Sequence, residues 1–300
     1  MSVQEAIYTL RSVLGKENVI TAKEDLICYS FDATADLPEH LPDLLVTPMT
    51  VEQVAEVIKA ANRYKMPVYP RGSGTNLSGG TVPVRGGIVL SSLKMNKILE
   101  IDPDNLTATV QPGVIIQTLN NTIAPHGLIY PPDPGSMATA TMGGSVAECS
   151  GGLRGLKYGV TRDYVMGLEV VLANGDIARF GGKTVKNVTA YDMVRLFTGS
   201  EGTLGIITEI IVRLIPAPEA RKTMFATFAD LTTAGRSITE IIRSKVIPAT
   251  MEIMDRVTME TVENHAQIGL PTESEAILLV EVDGIPEVVR REAASVREVI

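Results

Sequence analysis

The alternation of apolar and polar positions in the first part of the chain predicts helices that alternate with short strands. Apolar residues recur at helical spacing over residues 3–14 and again after Thr50, which forms a capping-box pattern with Gln53. A short apolar run at 44–47 precedes the second helix, and residues 67–69 follow it as a further strand. That strand continues into RGSGTNLSGG, so the first predicted unit is strand, helix, strand and glycine loop.

The middle of the chain has the pattern of a sheet built from short strands with few helices. Turn residues separate its apolar runs, and Asn174-Gly175 between two of them is typical of a β-hairpin. The last apolar run stops at Pro216 and Pro218, which we expect to mark a domain boundary. The predicted strands are 88–91, 98–101, 107–111, 167–172, 177–180 and 204–215, and the predicted helices are 114–123 and 141–148.

After Pro218 the pattern changes to a regular alternation of strands and helices, which predicts an open α/β layer. The chain stops within the last helical pattern without a stop residue, and a half-built sheet would leave an edge and an apolar face uncovered. We therefore expect the sequence to be an incomplete copy of a longer protein. The predicted strands are 223–229, 249–253 and 276–282, and the predicted helices are 232–244, 257–267 and 286–300.

Composition and charge narrow the classes of function. The net charge of −8 argues against nucleic acid as a partner. No run of about 18 apolar residues is present, so we expect no transmembrane segment. Two cysteines and three histidines are too few for a disulfide framework or a tetrahedral Cys/His metal site. The two cysteines are far apart in the sequence, which fits a cytoplasmic location. Of the 26 glycines, 22 lie between Gly72 and Gly205, where we expect the functional site.

The segment from Arg71 to Gly80 has the composition of a phosphate-binding loop. Its glycines permit close backbone approach, its short polar side chains add donors, and successive N–H groups can form an anion-binding nest. The dinucleotide fingerprint fails because Leu77 stands where a glycine is required. The P-loop pattern that ends at GKT (182–184) fails because Ile177 replaces its first glycine. The sequence therefore favours a phosphate-binding loop over a simple tight turn. It supports neither a Rossmann dinucleotide site nor a P-loop.

Two further glycine-rich segments follow. PPDPGS (131–136) leads into MATATMGGSVAECSGG (137–152), where rigid prolines and small residues leave room for a flat, wide ligand or simply pack around a helix start. In FTGSEGTLGII (197–207), backbone groups before a strand can hydrogen-bond a polar ring. Glu201 can bind a ribose or remain a solvated acid, and both alternatives stay open. We interpret Cys149 as a small buried residue.

At these three segments together the sequence resembles the FAD-binding domain of the vanillyl-alcohol oxidase and p-cresol methylhydroxylase type. Within that type it is similar to the FAD-linked glycolate oxidase flavoprotein subunit and related D-lactate dehydrogenases. The resemblance implies an α+β fold, with a two-subdomain FAD-binding domain over 41–218 after an N-terminal helical segment over 1–40. It also implies an incomplete α/β substrate-cap domain over 219–300. The similar segments are PRGSGTNLSGG (70–80), PPDPGS (131–136), TMGGSVAECSGG (141–152), LKYGVTRDYVMGLEVVLANG (156–175) and GGKTVKNVTAYDMVRLFTGSEGTLGIITE (181–209).

The resemblance further implies which residues bind FAD. The pyrophosphate would lie on the first loop, and the flavin and its ribityl chain would lie along the second segment. The third segment would complete the binding site around the nucleotide and the flavin ring. Covalent members carry a His where this loop has Thr75, so we expect the FAD to be non-covalent. The expected cofactor-binding residues are Pro70, Arg71, Gly72, Ser73, Gly74, Thr75, Asn76, Ser78, Gly79, Gly80, Pro132, Asp133, Pro134, Gly135, Ser136, Thr139, Met142, Gly143, Gly144, Ser145, Gly151, Gly152, Glu201, Gly205, Ile206 and Ile207.

The activity implied by the resemblance is oxidation of a short 2-hydroxy acid, glycolate or D-lactate, to the 2-keto acid with hydride transfer to flavin N5. Two alternatives stay open, a related flavoenzyme such as a 2-hydroxyglutarate dehydrogenase or an ether-lipid synthase, and an FAD-binding electron-transfer subunit without its own substrate. An electron-acceptor subunit or an electron-transfer flavoprotein is the expected partner, and through it the cytoplasmic protein would reach a membrane surface.

No catalytic or metal-binding residue is carried over from the resemblance. The relatives place a His-rich metal motif in the later cap, so a divalent metal is expected only beyond Ile300. His40, His126 and His265 do not have ligand spacing, and we interpret each as a surface or turn residue.

Overall fold

The computed structural model describes residues 3–300, which form two compact units. The first unit extends to Tyr130 and also contains Pro134–Ser150 and Val160–Ile215. The second contains Pro131–Asp133, Gly151–Gly159 and Pro216–Ile300. None of the helices within 3–300 is both long and apolar enough to cross a membrane.

The first unit begins with a four-stranded sheet of order β1-β2-β4-β3, whose last three strands are parallel. Apolar side chains of the helices before β1 and between β2 and β3 form one core with this sheet. Parallel strands need a crossover, and the helix after Thr50 supplies it. The elements are α1 (Val3–Leu14), β1 (Val19–Ile20), α2 (Lys23–Leu26), β2 (Leu44–Val46), α3 (Val51–Tyr64), β3 (Val68–Arg71) and β4 (Ile88–Ser91).

The start of α3 differs in one detail from the predicted capping box. The side chain of Thr50 accepts from the N–H of Gln53 at 3.3 Å, as predicted. The Gln53 side chain, however, accepts from the N–H of Met49 at 2.7 Å, one residue before the cap. The long glutamine side chain thus reaches past Thr50, and the helix is still capped at the predicted residue.

The second sheet of the first unit has five antiparallel strands in the order β5-β6-β10-β8-β9. The predicted hairpin is present as β8 and β9, and Gly175 in its turn has a φ of +89°. The elements are β5 (Ile98–Asp102), β6 (Thr107–Val110), α4 (Ile116–Ile123), β7 (Leu128–Ile129), α5 (Met142–Glu148), β8 (Val165–Leu172), β9 (Ile177–Gly181), α7 (Met193–Phe197) and β10 (Gly205–Arg213); α6 (Gly155–Tyr158) belongs to the second unit.

The second unit contains a three-stranded sheet in which the last strand along the chain lies between the other two. It is antiparallel to both neighbours, so the outer strands run in the same direction and α8 connects them. The predicted α/β layer is therefore a split β-α-β unit with an antiparallel central strand. Its elements are β11 (Ile215–Pro216), β12 (Ala220–Phe228), α8 (Leu231–Arg243), β13 (Thr250–Asp255), α9 (Arg256–Ala266), β14 (Ala276–Gly284) and α10 (Pro286–Val299), the first at the boundary of the units.

Candidate functional site

A cavity of about 290 Å³ lies in the first unit, where the loop after β3, the helix α5 and the start of β10 meet. The volume is near the lower end of pockets for small organic ligands, roughly 300–1,000 Å³. The structure brings residues from all three glycine-rich segments to this cavity. Those predicted residues are Pro70, Arg71, Gly72, Ser73, Gly74, Thr75, Asn76, Gly80, Pro134, Ser136, Gly143, Gly144, Ser145, Glu201, Gly205, Ile206 and Ile207.

The remaining predicted residues have other positions. In the first unit, Ser78, Gly79, Gly135 and Thr139 lie outside the cavity lining, and Met142 is fully buried in the core. The others belong to the second unit, and within it the carbonyl oxygen of Asp133 would lie 2.1 Å from a Cβ on Gly152. Those second-unit residues are Pro132, Asp133, Gly151 and Gly152.

Sequence reasoning missed several residues that line the cavity. Leu90 and Ser92 flank the end of β4, and Pro112 follows β6, so each lies at the end of a strand. These three residues lie outside the glycine-rich segments 71–80, 131–152 and 197–207, so the local pattern gave no signal for them. The other cavity-lining residues that were not predicted are Leu77, Thr81, Ala140, Thr141, Ala147, Glu148, Ser150 and Gly202.

The glycine-rich loop presents unused backbone donors. Within residues 3–300, the N–H groups of residues 72–78 donate to no protein group, whereas Gly79 donates to Oγ1 of Thr34 at 2.7 Å. Successive unpaired N–H groups are the arrangement that binds phosphate oxygens. The loop therefore has the donors that a pyrophosphate requires, and it lines the cavity.

The guanidinium of Arg71 is held by protein groups. It donates to the carbonyl of Phe31 at 2.6 Å and to Oγ1 of Thr81 at 3.3 Å, and it lies 5.4 Å from the centre of the Tyr29 ring. Burial lowers the pKa of Arg71, and the nearby Asp32 carboxylate acts in the opposite direction. Arginine remains protonated at any physiological pH, so Arg71 supplies a fixed positive charge beside the loop.

Several glycines expected to admit a ligand instead allow the protein to pack against itself. A Cβ on Gly143 would lie 2.5 Å from Cβ of Pro112, and one on Gly205 would lie 2.6 Å from Cγ1 of Val170. Gly80 differs, because a Cβ there would meet nothing closer than 3.5 Å. The space beside Gly80 is thus a cradle that a ligand can enter.

Two acidic side chains face the same space. A Cβ on Gly80 would lie 3.5 Å from Oε2 of Glu201 and 3.8 Å from Oε1 of Glu148. Burial and repulsion from Glu201 raise the pKa of Glu148, while a long hydrogen bond from Ser78 opposes them. The cavity therefore combines free N–H donors with one carboxyl group that ionises less readily than an exposed glutamate.

Other polar groups have structural roles. Cys149, which was predicted to be buried, is only partly buried and adopts a φ of +50° as the C-cap of α5. The carboxylate of Asp255 caps α9 by accepting from the N–H of Thr258 at 2.8 Å. The buried Ser145 hydroxyl lies 2.5 Å from that of Ser150. Within residues 3–300, no group of three or more His, Cys, Asp or Glu side chains is arranged to bind a metal ion.

Comparison of the sequence with known protein families indicates which class of ligand the cavity binds. A family model described as an FAD binding domain matches residues 42–181, and one described as the C-terminal domain of FAD linked oxidases matches residues 217–300. The chain thus has a segment similar to FAD binding domains, followed by one similar to the C-terminal domain of FAD linked oxidases, as the resemblance implied. The prediction of FAD as the cofactor is confirmed. The free N–H groups of the loop fit the pyrophosphate of that cofactor.

Named relatives of the chain agree with the resemblance. The chain is 50% identical over 290 residues to the glycolate oxidase subunit GlcD of Bacillus subtilis, covering 97% of this chain and 62% of the relative. It is 40% identical over 274 residues to a D-lactate dehydrogenase of Archaeoglobus fulgidus, covering 90% of this chain and 61% of the relative. The chain thus spans about three fifths of the length of these relatives.

Solved structures confirm the predicted fold. The crystal structure of p-cresol methylhydroxylase with substrate bound superimposes with a TM-score of 0.79 at 24% identity, covering 99% of this chain and 63% of the other. At that identity the similarity supports the fold alone. The chain therefore has the α+β architecture that the resemblance implied.

Proposed function

We propose that the whole protein oxidises a short 2-hydroxy acid, glycolate or D-lactate, to the corresponding 2-keto acid. The observation that carries the proposal is the 50% identity to a glycolate oxidase subunit over nearly the whole chain, which includes every residue of the cavity. The similarity to a D-lactate dehydrogenase supports the same substrate class. When bound, FAD supplies the acceptor for the hydride that leaves the hydroxyl-bearing carbon.

The chain's own residues would bind and orient that cofactor. The free N–H groups of residues 72–76 would bind the pyrophosphate, with the charge of Arg71 behind them. Apolar side chains of Ile206 and Ile207 would exclude water from the cavity wall. Some of the predicted residues do not line the cavity, and we propose that they contact the cofactor when it binds. They include Pro132, Asp133, Gly151 and Gly152.

Anaerobic reduction of the purified whole protein tests the substrate class. Glycolate, D-lactate, L-lactate and D-2-hydroxyglutarate are each mixed with the FAD-loaded protein under argon, and the visible flavin absorption is followed. Bleaching by glycolate or D-lactate at low concentration is the expected result. Bleaching by D-2-hydroxyglutarate alone would replace the substrate in the proposal with a longer diacid.

A second candidate is an FAD-binding subunit that passes electrons without a substrate of its own. The name of the Bacillus subtilis relative, a subunit, favours a partner protein that accepts electrons. In this case none of the four acids would bleach the flavin, whereas dithionite would. We also propose that a partner protein accepts the electrons. The protein would be cytoplasmic and would contact a membrane through that partner.

A further inference from the structure

A segment outside the matched FAD binding domain lies against the glycine-rich loop. Residues 27–37 precede the matched range, which begins at residue 42. The N–H of Ala33 donates to the carbonyl of Gly74 at 3.1 Å. The hydroxyl of Thr34 accepts from the N–H of Gly79 at 2.7 Å. The loop is therefore bonded to one short segment at two places, Gly74 and Gly79.

Asp32 is the centre of these contacts. Its side chain is buried, and Oδ1 accepts from the N–H of Thr34 at 2.9 Å. Oδ2 accepts from Nδ2 of Asn76 at 2.7 Å and from Oγ1 of Thr81 at 3.1 Å. One carboxylate thus joins the middle of the loop, the residue that follows it and the N-terminal segment.

The carboxylate is held in its charged form. Burial acts to raise the pKa of Asp32, but hydrogen bonds from Thr34, Asn76 and Thr81 together hold it below its ordinary value. Hydrogen bonds to an ionised acceptor are about twice as strong as neutral ones. The positive charge of Arg71 nearby offsets the repulsion that a phosphate would otherwise meet.

Conformational restriction of this loop matters for affinity. Glycine-rich segments have more backbone freedom than others, and that freedom is lost when a ligand fixes them. A loop already fixed in its binding conformation avoids this cost. Asp32 itself does not line the cavity, so any influence on the cofactor passes through the loop.

We propose that Asp32 is a positioning residue for FAD, holding the loop of residues 72–80 so that its free N–H groups meet the pyrophosphate. Thr34 assists by fixing the end of the loop at Gly79. The inference rests on the proposed assignment of the pyrophosphate to this loop. It adds the segment before residue 42 to the cofactor site.

The test compares two Asp-to-Asn variants in the whole protein. Asp102 is the control, because it likewise accepts two hydrogen bonds, from the N–H of Asn105 at 3.0 Å and from Nδ2 of Asn105 at 2.7 Å. It lies at the end of β5, outside the cavity lining. The apoproteins are titrated with FAD and with ADP, which carries the same pyrophosphate. Asp32→Asn is expected to weaken both ligands at least about tenfold, and Asp102→Asn less than about twofold.

Variants of Thr34 test the same inference if Asp32→Asn fails to fold, and one of them retains the hydroxyl group. Thr34→Val removes the hydroxyl and is expected to weaken FAD and ADP binding, whereas Thr34→Ser retains the hydroxyl and the affinity. Equal affinity of the two Thr34 variants would overturn the inference, and so would wild-type affinity in Asp32→Asn. A loss of FAD affinity without a loss of ADP affinity would also overturn it. If the wild-type protein binds FAD but not ADP, the pyrophosphate assignment fails instead.

Discussion

Gly72 and Thr141 touch so closely that a Cβ on the glycine would lie 2.2 Å from Oγ1 of the threonine. The same Oγ1 accepts from the N–H of Gly144 at 3.2 Å and caps α5. Two segments far apart in the sequence are therefore joined at the cavity by one glycine and one hydroxyl. The contact explains why both segments contain small residues at this place.

Gly72→Ala is expected to lower the free energy of unfolding by about 1–3 kcal/mol, because the new methyl group displaces the helix cap and overpacks the contact. Chemical denaturation of the apoprotein measures the change. Gly135→Ala is the control, since a Cβ there meets nothing within 4 Å. Equal stability of the Gly72 and Gly135 variants would contradict the packing argument.

Gly80→Val is expected to abolish FAD retention while leaving the apoprotein folded. A Cβ at Gly80 has only ordinary contacts, but the branched side chain would fill the cradle beside the loop. Gel filtration followed by absorption spectroscopy measures the flavin retained. Gly182→Val serves as the control, because nothing lies within 4 Å of its Cβ position. Full flavin content in the Gly80 variant would place the cofactor elsewhere.

The stability of the apoprotein is expected to show the raised pKa of Glu148. Burial and the charge of Glu201 disfavour the ionised form, so the contribution of Glu148 to stability is present below its ordinary pKa of 4.5 and is lost as pH rises through the raised pKa. Glu148→Gln should therefore raise Tm relative to wild type more at about pH 8 than at about pH 4.

Glu52 gives the matched control with the opposite sign. Hydrogen bonds from its own N–H and from Thr50 lower the pKa of Glu52, so its contribution is present above the ordinary pKa and is lost as pH falls. Glu52→Gln should lower Tm at high pH and have no effect in acid. The same trend with pH in both variants would argue against the assigned cause.

Lys157→Met is expected to destabilise the second unit by about 2–3 kcal/mol, because the buried carboxylate of Asp283 loses its cation. Lys157 Nζ lies 2.5 Å from Oδ1. Among residues 3–300, the Tyr158 hydroxyl, 2.8 Å from Oδ2, would remain as the side-chain partner. Lys183→Met removes the cation from an exposed pair with Glu100 and should cost about 0–1 kcal/mol. Urea denaturation of both variants decides the comparison.

Acid precipitation is expected to release all of the FAD into the supernatant. Thr75 lines the cavity, and its hydroxyl is too weak a nucleophile to form the flavin link that a histidine forms in covalent relatives. Absorption of the supernatant and of the dissolved pellet measures the distribution. A yellow pellet would contradict the prediction of non-covalent cofactor.

Sequence patterns predicted most of the helices and strands, because caps, turns and apolar periodicity involve residues that are close together in the sequence. The helix after Thr50 has a cap and an apolar stripe, and the β8–β9 hairpin has Asn174-Gly175 at its turn. The place of β14 between β12 and β13 was not predictable in this way, since strand order depends on contacts between residues far apart. For the same reason, Leu90 and Pro112 were not expected to line the cavity.

The sequence by itself determined the glycine loop, its short polar side chains and the three segments that carry the cofactor motifs, because composition and spacing are local properties. Only the tertiary structure decided how those residues are used. In the folded protein Asp32 is buried beside the loop, and the guanidinium of Arg71 donates to the carbonyl of Phe31. Gly72 packs closely against Thr141, whereas a Cβ on Gly80 would have only ordinary contacts. Those outcomes depend on which distant groups compete for the same space and the same hydrogen bonds.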